Sequence, residues 1–409
     1  MTRGLLLVVG LAALGCVVRP DEVSLSPEAV APLPEVRIGL LTDVSRVSLD
    51  SDLGLVIVDP DEGELVRVAA GTALRGSTRG SGIALDGGGE RVTRRVLLVE
   101  PVEGGVITVD GKGYRGRMEL RRSGERFQVI NHIDLESYLL GVIRGEMGTR
   151  SANEFEALKA QAVAARTYTL RNLGRWSDQG FDLVAGVGAQ VYLGSDRDDP
   201  LISDAVAATH GEVLQHDGVL IDAFYSSTCG GHTEDGVAAF VGASRPYLRS
   251  VSDLAPDGTA YCSISPRFTW RESWNAEQLT TILRRTLAAE KLPRARANDL
   301  RDLRPAARTA SGRVASLDLV GSGGSTAVQG QSIRRVLSPE PGTWLRSTDF
   351  TIKVTRSGSR IERVTVEGRG NGHGVGMCQW GAIGRARAGQ DYATILMSYF
   401  PGTELQRIY

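Results

Sequence analysis

Glu146 is the acidic residue whose position in the sequence best suits acid–base chemistry. Apolar residues recur at helical spacing after Asp134, a favourable helix N-cap, and Gly145 interrupts this pattern directly before Glu146. We therefore expect Glu146 near the C-terminus of a helix, where the negative end of the helix dipole raises the pKa of a carboxyl group. A raised pKa suits a proton donor. On position alone, a solvated glutamate at a helix end is the simpler interpretation.

Lys159 and Arg166 lie on the helix that is predicted to follow. This helix begins with a capping-box sequence at Ser151 and extends to about Leu173. The residues between the two cations are small, largely apolar and uncharged, which predicts a buried face, and a buried cation needs a partner. We expect both side chains to bind substrate or to pair with carboxylates of the site. A solvent-exposed helix face is the alternative.

The cysteines beyond the N-terminal segment are Cys229, Cys262 and Cys378, an odd number for disulfide pairing. His232 follows Cys229 closely, in a turn that contains glycine. The four side chains make a Cys₃His set suited to a closed, tetrahedral, structural zinc site, which we predict. The alternative is a Cys229–Cys262 disulfide with Cys378 buried as a free thiol, although a free thiol is a liability in an oxidising compartment.

A glycine-rich run at residues 368–376 superficially resembles a dinucleotide-binding loop. It lacks the expected strand–helix–strand context and the later acidic residue, so we predict no nucleotide cofactor. His373 lies in this run and Gln379 follows it. We expect Gln379 to bind substrate, and His373 either to bind substrate or orient Glu146, or else to form a hydrogen bond with the turn backbone.

The first residues have the pattern of an export signal. Arg3 gives a positive start, residues 4–14 are apolar, and small residues precede Cys16. The apolar run is shorter than the roughly 20 residues of a membrane-spanning helix. We predict a signal segment at residues 1–16, a lipid anchor on Cys16 and a tether over residues 17–35. The protein would then be exported to the cell envelope and touch a membrane only through this lipid. A plain secretory signal with an incidental cysteine is the alternative.

Composition and residue patterns predict an α+β fold. The net charge of −1 over 409 residues gives no reason to expect a nucleic-acid partner. Short apolar runs broken by Gly and Asp predict a β-rich part at residues 36–125. We expect it to pack against a mixed α/β catalytic core at residues 126–409, with an internal insertion around residues 264–350. Within the insertion a helix is predicted at Ala276–Ala289.

Four ordered segments closely resemble the SpoIID/LytB family, named for a sporulation protein and an amidase enhancer. They read HIDLESYLLGVIRGEM, EALKAQAVAARTY, FYSSTCGGHTE and NGHGVGMCQWGA, and they occupy residues 132–147, 156–168, 224–234 and 371–382. The resemblance covers roughly residue 36 to the C-terminus. The family usually has proline after the Glu-Met pair, whereas this chain has Gly148.

The resemblance implies an α+β enzyme of the bacterial cell wall. Characterised members are lytic transglycosylases that act on peptide-free peptidoglycan glycan strands, and the catalytic acid of the family motif corresponds to Glu146. One carboxylate is enough for this chemistry, because the C6 hydroxyl of the sugar replaces water as the nucleophile.

Two other activities are possible on the sequence alone. A glycan-binding protein without catalytic activity that stimulates a cell-wall amidase would fit the amidase-enhancer branch of the family. A hydrolase would need a second carboxylate, for which Glu136, Glu154 and Glu234 are the candidates.

Overall fold

The structure, a computed structural model, describes residues 33–194, 199–240 and 242–409. It is 25% helical and 39% strand, which confirms the predicted α+β class. The predicted signal segment, Cys16 and most of the predicted tether lie outside the described residues. Among the described helices, none is long and apolar enough to cross a membrane.

The N-terminal strands form because apolar residues alternate with polar ones, as at Val47 and Leu49, which are buried between exposed neighbours. The strands of this part are β1 (Glu35–Val44), β2 (Arg46–Asp50), β3 (Leu55–Asp59), β4 (Gly63–Val68), β5 (Leu74–Arg79), β6 (Gly82–Gly87), β7 (Glu90–Arg94), β8 (Val96–Pro101), β9 (Ile107–Val109), β10 (Lys112–Tyr114), β11 (Arg117–Ser123) and β12 (Arg126–Asp134).

The rest of the chain mixes helices with shorter strands. Its helices are α1 (Leu135–Met147), α2 (Phe155–Arg171), α3 (Pro200–Ala208), α4 (Gly236–Ala239), α5 (Ala276–Ala289), α6 (Ser332–Val336), α7 (Gln379–Arg387) and α8 (Tyr392–Tyr399). Its strands are β13 (Leu183–Val184), β14 (Glu212–His216), β15 (Val219–Leu220), β16 (Tyr225–Ser226), β17 (Thr269–Asn275), β18 (Asp302–Arg308), β19 (Val314–Gly321), β20 (Gly324–Gln329), β21 (Phe350–Ser357), β22 (Arg360–Arg369), β23 (Met377–Cys378) and β24 (Glu404–Arg407).

Two sheets organise the N-terminal part. The first has seven strands in the order β13-β1-β12-β11-β8-β3-β4, and the second has six in the order β10-β9-β2-β5-β6-β7. Strand β12 pairs antiparallel with both β1 and β11 and leads directly into α1. The predicted boundary between residues 125 and 126 therefore falls between two paired strands of one sheet.

Local capping fixes the two helices that carry the first two motifs. The Asp134 carboxylate accepts a 2.9 Å hydrogen bond from the Ser137 amide and begins α1. A short 3₁₀ turn with a reciprocal capping box between Ser151 and Glu154 leads into α2. The two helices pack together within one large hydrophobic core that also takes in the N-terminal sheets.

A second hydrophobic core lies in the region from Trp270 to Val366. Helix α5 contributes Leu279 and Leu283 to it, and the three-stranded sheets β17-β22-β21 and β18-β19-β20 supply most of the rest. Strand β16 of the first region pairs in parallel with β23, which follows the second core in the chain. This pairing brings the third and fourth motif segments together.

Candidate active site

Glu146 lies in the last turn of α1, and both of its carboxylate oxygens accept hydrogen bonds. The backbone amide of Val191 donates to Oε1 at 2.8 Å, and Nε2 of Gln379 donates to Oε2 at 3.0 Å. The side chain is half-buried. Three distant segments therefore converge on one carboxyl group, and Gln379 is the predicted site residue that the structure places against it.

Gly145 does not interrupt α1, which continues to Met147, so the predicted interruption is wrong. The glycine has a packing role instead: a Cβ at this position would lie 2.3 Å from the carbonyl oxygen of Val191. Without that atom the chain at Val191 approaches the helix closely enough for its amide to reach Glu146. Gly148 then ends the helix at φ 64°, a conformation closed to the proline that is usual here, because proline is fixed near −65°.

Burial raises the pKa of Glu146 above its ordinary range, and the hydrogen bonds from Val191 and Gln379 oppose that rise without cancelling it. The direction agrees with the sequence prediction, but the main cause is burial where we expected the helix dipole. A carboxyl group with a raised pKa stays protonated over a wider pH range and can donate its proton to a leaving group.

A buried polar network adjoins this carboxyl group. Nε2 of Gln190 donates to the Tyr225 hydroxyl at 2.9 Å, and the Tyr138 hydroxyl donates to Oε1 of Gln190 at 3.3 Å. Burial raises the pKa of both tyrosines well above the ordinary value, and the nearby charge of Glu146 adds to the effect. Both phenols therefore remain protonated.

Sequence reasoning missed several of these partners. Tyr225 lies inside the third motif segment, and this position could have identified it as a candidate site residue. Val191 contributes only its backbone amide, for which side-chain types carry no signal. Gln161, inside the second motif segment, is fully buried, and its Oε1 lies 3.5 Å from Nε2 of Gln379.

Lys159 lies beside the side chains of Glu156 and Tyr392. Its ammonium group is 2.5 Å from Oε1 of Glu156 and 4.6 Å from the centre of the Tyr392 ring. The contacts described for Lys159 do not include Glu146. Its predicted role in binding substrate therefore stays a prediction.

Arg166 is fully buried and forms a two-pronged ion pair with Glu136, with Nε and Nη2 each 2.7 Å from a carboxylate oxygen. Its remaining nitrogen Nη1 donates to the backbone carbonyl of Glu212 at 3.0 Å. The expectation that a buried cation has a partner is met. This structural pairing replaces the predicted contact with substrate, because a side chain with no exposed surface cannot reach one.

His373 is a histidine of the turn. Its Nδ1 accepts a 3.1 Å hydrogen bond from the Val375 amide, and its ring packs against Phe240 with 5.1 Å between ring centres. Burial, together with the positive charge of Arg334, lowers the pKa of His373 to about 3, so the ring is neutral. This geometry matches the alternative in which the histidine supports the turn backbone.

The three carboxylates considered as a second catalytic group have other partners. Glu154 accepts from Nε of Arg387 at 2.9 Å, and Glu234 accepts from the hydroxyls of Thr309 and Ser311 at 2.7 and 2.9 Å. Glu136 is held by Arg166, as described above. None of the contacts described for these residues is with Glu146.

Cys229, Cys262 and Cys378 come together as predicted, but His232 does not join them. The His232 side chain is exposed, and the fourth potential ligand is the carboxylate of Asp253. Candidate ligand atoms of the four buried residues all lie within 4.8 Å of one another. The predicted Cys₃His set is thus corrected to a Cys₃Asp set.

The thiols of this cluster differ in acidity. Burial raises the pKa of Cys229 and Cys378, while hydrogen bonds from those two thiols and from the amides of Gly230 and Gly231 lower the pKa of Cys262 to about 3. All three are free cysteines. The cluster could hold a thiophilic metal ion.

A cavity of about 830 Å³ lies elsewhere, against the sheet of β17, β22 and β21. Trp270, Phe350 and Arg308 are among its lining residues, and Glu146 is not. The cavity therefore does not belong to the carboxyl site.

Comparisons with known proteins show what this chain is similar to. Residues 123–216 match the family model described as stage II sporulation protein, and residues 258–376 match a domain of unknown function (DUF8618). An uncharacterised protein of Brachyspira hyodysenteriae is 30% identical over 317 residues, which cover 77% of each chain. The stage II sporulation protein D of Bacillus subtilis is 31% identical over 297 residues, covering 68% of this chain and 76% of that protein.

The amidase enhancer of Bacillus subtilis is also similar. It is 32% identical over 336 residues, which cover 73% of this chain but 45% of the enhancer. This chain therefore corresponds to less than half of that protein.

Proposed function

The chain belongs to the stage II sporulation protein D family, and we propose that it is a cell-wall enzyme, a lytic transglycosylase that cleaves peptidoglycan glycan strands. The bond cleaved joins N-acetylmuramic acid to N-acetylglucosamine. The observation that carries the proposal is the half-buried carboxyl group of Glu146, whose pKa is raised by burial and whose two oxygens are held by the Val191 amide and Gln379.

The chemistry of this reaction needs one group to act twice. The Glu146 carboxyl donates its proton to the glycosidic oxygen as the bond from that oxygen to C1 of the muramic acid breaks. The C6 hydroxyl of the same sugar then attacks C1, and the Glu146 carboxylate takes the hydroxyl proton. The products are a free N-acetylglucosamine end and a 1,6-anhydro-muramic acid end. No water is consumed, so a second carboxylate to activate water is not required.

Gln379 and the Val191 amide suit the second half of this cycle. Both donate to the carboxylate oxygens, so they favour the ionised form that must accept the hydroxyl proton. Burial favours the protonated form that must donate first. The balance between the two lets one carboxyl group alternate between acid and base.

The decisive experiment is mass spectrometry of the products from glycan strands stripped of stem peptides by an amidase. Wild-type protein should release fragments with 1,6-anhydro ends, and Glu146→Gln should release none, because the change is nearly isosteric but removes the ionisable group. Loss of a general acid typically costs about 10²–10⁴ in rate. Glu125→Gln, at an exposed position, is the matched control and should behave as wild type. Anhydro products from Glu146→Gln at the wild-type rate would refute the assignment, and fragments with only hydrolysed ends would indicate a hydrolase.

The amidase enhancer among the relatives favours a second candidate, a glycan-binding protein that stimulates a cell-wall amidase. In that case the protein should bind stripped glycan strands and increase amidase turnover without producing new glycan ends. Glu146→Gln should then stimulate the amidase as well as wild type does. The two functions are separated by whether anhydro ends appear when no amidase is present during the reaction.

We also propose that the chain acts outside the cytoplasm, anchored by lipid on Cys16. The substrate class requires export, and the N-terminal residues supply the signal pattern. Metabolic labelling with a fatty acid should mark wild-type protein and not Cys16→Ser. Equal labelling of both would exclude Cys16 as the lipidation site, and no labelling of wild type would indicate a plain secretory signal.

A further inference from the structure

Four buried side chains from separate segments meet at the start of α7, the helix whose first residue is Gln379. Cys229 follows β16, Asp253 lies in the segment after α4, Cys262 is in a short 3₁₀ turn, and Cys378 ends β23. Three thiols and a carboxylate in so small a buried volume are costly to hold as anions without a cation.

Two of the six distances between the ligand atoms are close to those of a tetrahedral metal site. Sγ of Cys229 lies 3.6 Å from Sγ of Cys262 and 3.2 Å from Oδ2 of Asp253. Tetrahedral zinc has Zn–S bonds of about 2.3 Å and Zn–O bonds of about 2.0–2.2 Å, which place two sulfurs about 3.8 Å apart and a sulfur and an oxygen about 3.5 Å apart. A disulfide would need the two sulfurs at about 2.05 Å. These two distances are therefore near the edges of a coordination tetrahedron, and all the ligand atoms lie within 4.8 Å of one another. The separation of Cys229 and Cys262 is far from that of a disulfide.

Outer partners already orient the proposed ligands. Oδ1 of Asp253 accepts from Nε of Arg385 at 3.0 Å and from the Tyr399 hydroxyl at 2.7 Å, and this leaves Oδ2 directed at the thiols. Such hydrogen bonds to a ligating carboxylate fix its orientation and raise metal affinity. The positive charge of Arg385 also offsets part of the negative charge of the ligands.

Backbone amides point at the sulfurs. The amides of Cys229 and Gly381 donate to Sγ of Cys378 at 3.1 and 3.2 Å, and those of Gly230 and Gly231 donate to the Cys262 sulfur. Amide donors stabilise thiolates, the form in which cysteine binds metals. The surroundings are thus arranged for thiolate ligands, whereas ordinary buried thiols need no donors.

We propose that Cys229, Asp253, Cys262 and Cys378 bind one zinc ion in a closed structural site. Three soft thiolates select zinc over the oxygen-preferring cations calcium and magnesium. The four protein ligands leave no open coordination position, so the ion does not activate water.

The site also has a consequence for Glu146, which rests on the proposed function. Cys378 caps α7 through the Gly381 amide, and the next residue, Gln379, donates to the Glu146 carboxylate. Zinc bound to Cys378 would hold the start of α7 and therefore the Gln379 amide in position. Gln379 is in this sense a positioning residue that the metal supports.

The test is metal binding by the purified full chain under reducing conditions. Wild-type protein should carry about one zinc per chain by elemental analysis. Cobalt in its place should give the charge-transfer absorption of thiolate ligands, a readout that needs no variant and no glycan substrate. His232→Ala should keep the metal, because that side chain is exposed.

Asp253→Asn should weaken zinc affinity by more than the ~10–100-fold that loss of an outer partner costs. Asp257→Asn, at an exposed position of the same segment, is the matched control. Circular dichroism of each variant separates loss of metal from loss of fold.

Three results would overturn the proposal: wild-type protein that takes up neither zinc nor cobalt, a Cys229–Cys262 disulfide in a chain purified without reductant, or zinc lost from His232→Ala but retained by Asp253→Asn. None depends on glycan cleavage, so failure of the metal site and failure of the proposed activity are distinguishable.

Discussion

Gln379 donates a 3.0 Å hydrogen bond from Nε2 to Oε2 of Glu146, although the two residues are 233 positions apart. The helix that carries Glu146 begins at a cap on β12, and the helix that carries Gln379 begins at Cys378. The acidity of Glu146, in the first motif segment, therefore depends in part on Gln379 in the last one. A change at Gln379 should be detectable at the carboxyl group.

Gln379→Ala should move the alkaline limb of the pH–rate profile upward. The amide favours the ionised carboxylate, so its loss raises the pKa of Glu146 further, and the protonated acid persists to higher pH. A hydrogen bond to a charged group contributes about 1.5–3 kcal/mol, which corresponds to a rise of about one pH unit or more. The measurement is kcat/KM against pH on stripped glycan strands.

The control for this change is Gln406→Ala, at an exposed position on β24. It should leave the profile unchanged. If Gln379→Ala lowers kcat/KM but leaves the alkaline limb of the profile at the same pH, Gln379 does not affect the pKa of Glu146.

Glu146→Gln should be more stable than wild type near neutral pH. Because burial raises the folded-state pKa of Glu146, the folded protein holds the proton more tightly than the unfolded chain does. Tighter binding of this proton stabilises the wild-type fold. That stabilisation is fully present below the pKa of the unfolded chain and is lost as pH rises through the pKa of the folded protein. The stability gain of the glutamine variant should therefore be absent below about pH 4 and develop as pH rises through the carboxyl range.

Urea denaturation of both proteins across that range measures the difference. The amide of Gln379 can turn over to present its oxygen to the new glutamine, so packing should not mask the effect. A glutamine variant that is less stable at pH 7 and equal at low pH would contradict the burial of an ionised group.

Helix ends were predictable because the signals are local. The cap at Asp134, the capping box at Ser151 and the bounds Ala276–Ala289 of α5 agree with the structure. Each depends on residues within one or two turns of the chain. The partners of β1 were not predictable in this way, because β12 lies some ninety positions away and pairs through backbone groups that every residue carries.

The site shows the same limit. Glu146 and Gln379 were identified through motif resemblance, whereas Val191 acts through its backbone and left no signal. His232 was chosen for its closeness to Cys229 in sequence. The turn between them contains Gly230 and Gly231, both at positive φ, and His232 emerges from it on the exposed side.

Asp253, and not His232, lies beside the three cysteines because of a backbone pairing that sequence spacing does not reveal. His232 forms a backbone bridge with Ser252, and the Asp253 amide donates to the Gly231 carbonyl at 2.9 Å. The residue after the bridge then points inward at the thiols while His232 points outward. Only the three-dimensional path of the two segments shows that the Asp253 side chain, and not that of His232, can reach the thiols.

Arg166→Met should destabilise the protein by about 3–5 kcal/mol, because it leaves the Glu136 carboxylate buried without its charged partner, with the hydrogen bond from the Tyr409 hydroxyl remaining. Adding Glu136→Gln should recover part of the loss, since the remaining charge is then removed as well. Chemical denaturation of the single and double variants gives the free energies of unfolding. A stable Arg166→Met protein with a raised KM for glycan would instead restore Arg166 as a substrate-binding residue.

Gly145→Ala tests whether the close approach of Val191 sets the site. Intrinsic helix propensity alone would favour alanine over glycine by about 1 kcal/mol inside a helix. The added Cβ would, however, lie 2.3 Å from the Val191 carbonyl oxygen and must push that segment away from α1. We therefore expect a net loss of stability together with a loss of glycan cleavage, because the Val191 amide can no longer reach Oε1 of Glu146.

Gly323→Ala, at a turn position with open space around it, should be neutral in both measurements. A Gly145→Ala protein that gains stability and keeps full activity would show that the close approach is dispensable. A variant that loses stability but keeps the wild-type pH profile would separate the packing of Val191 from the acidity of the carboxyl group.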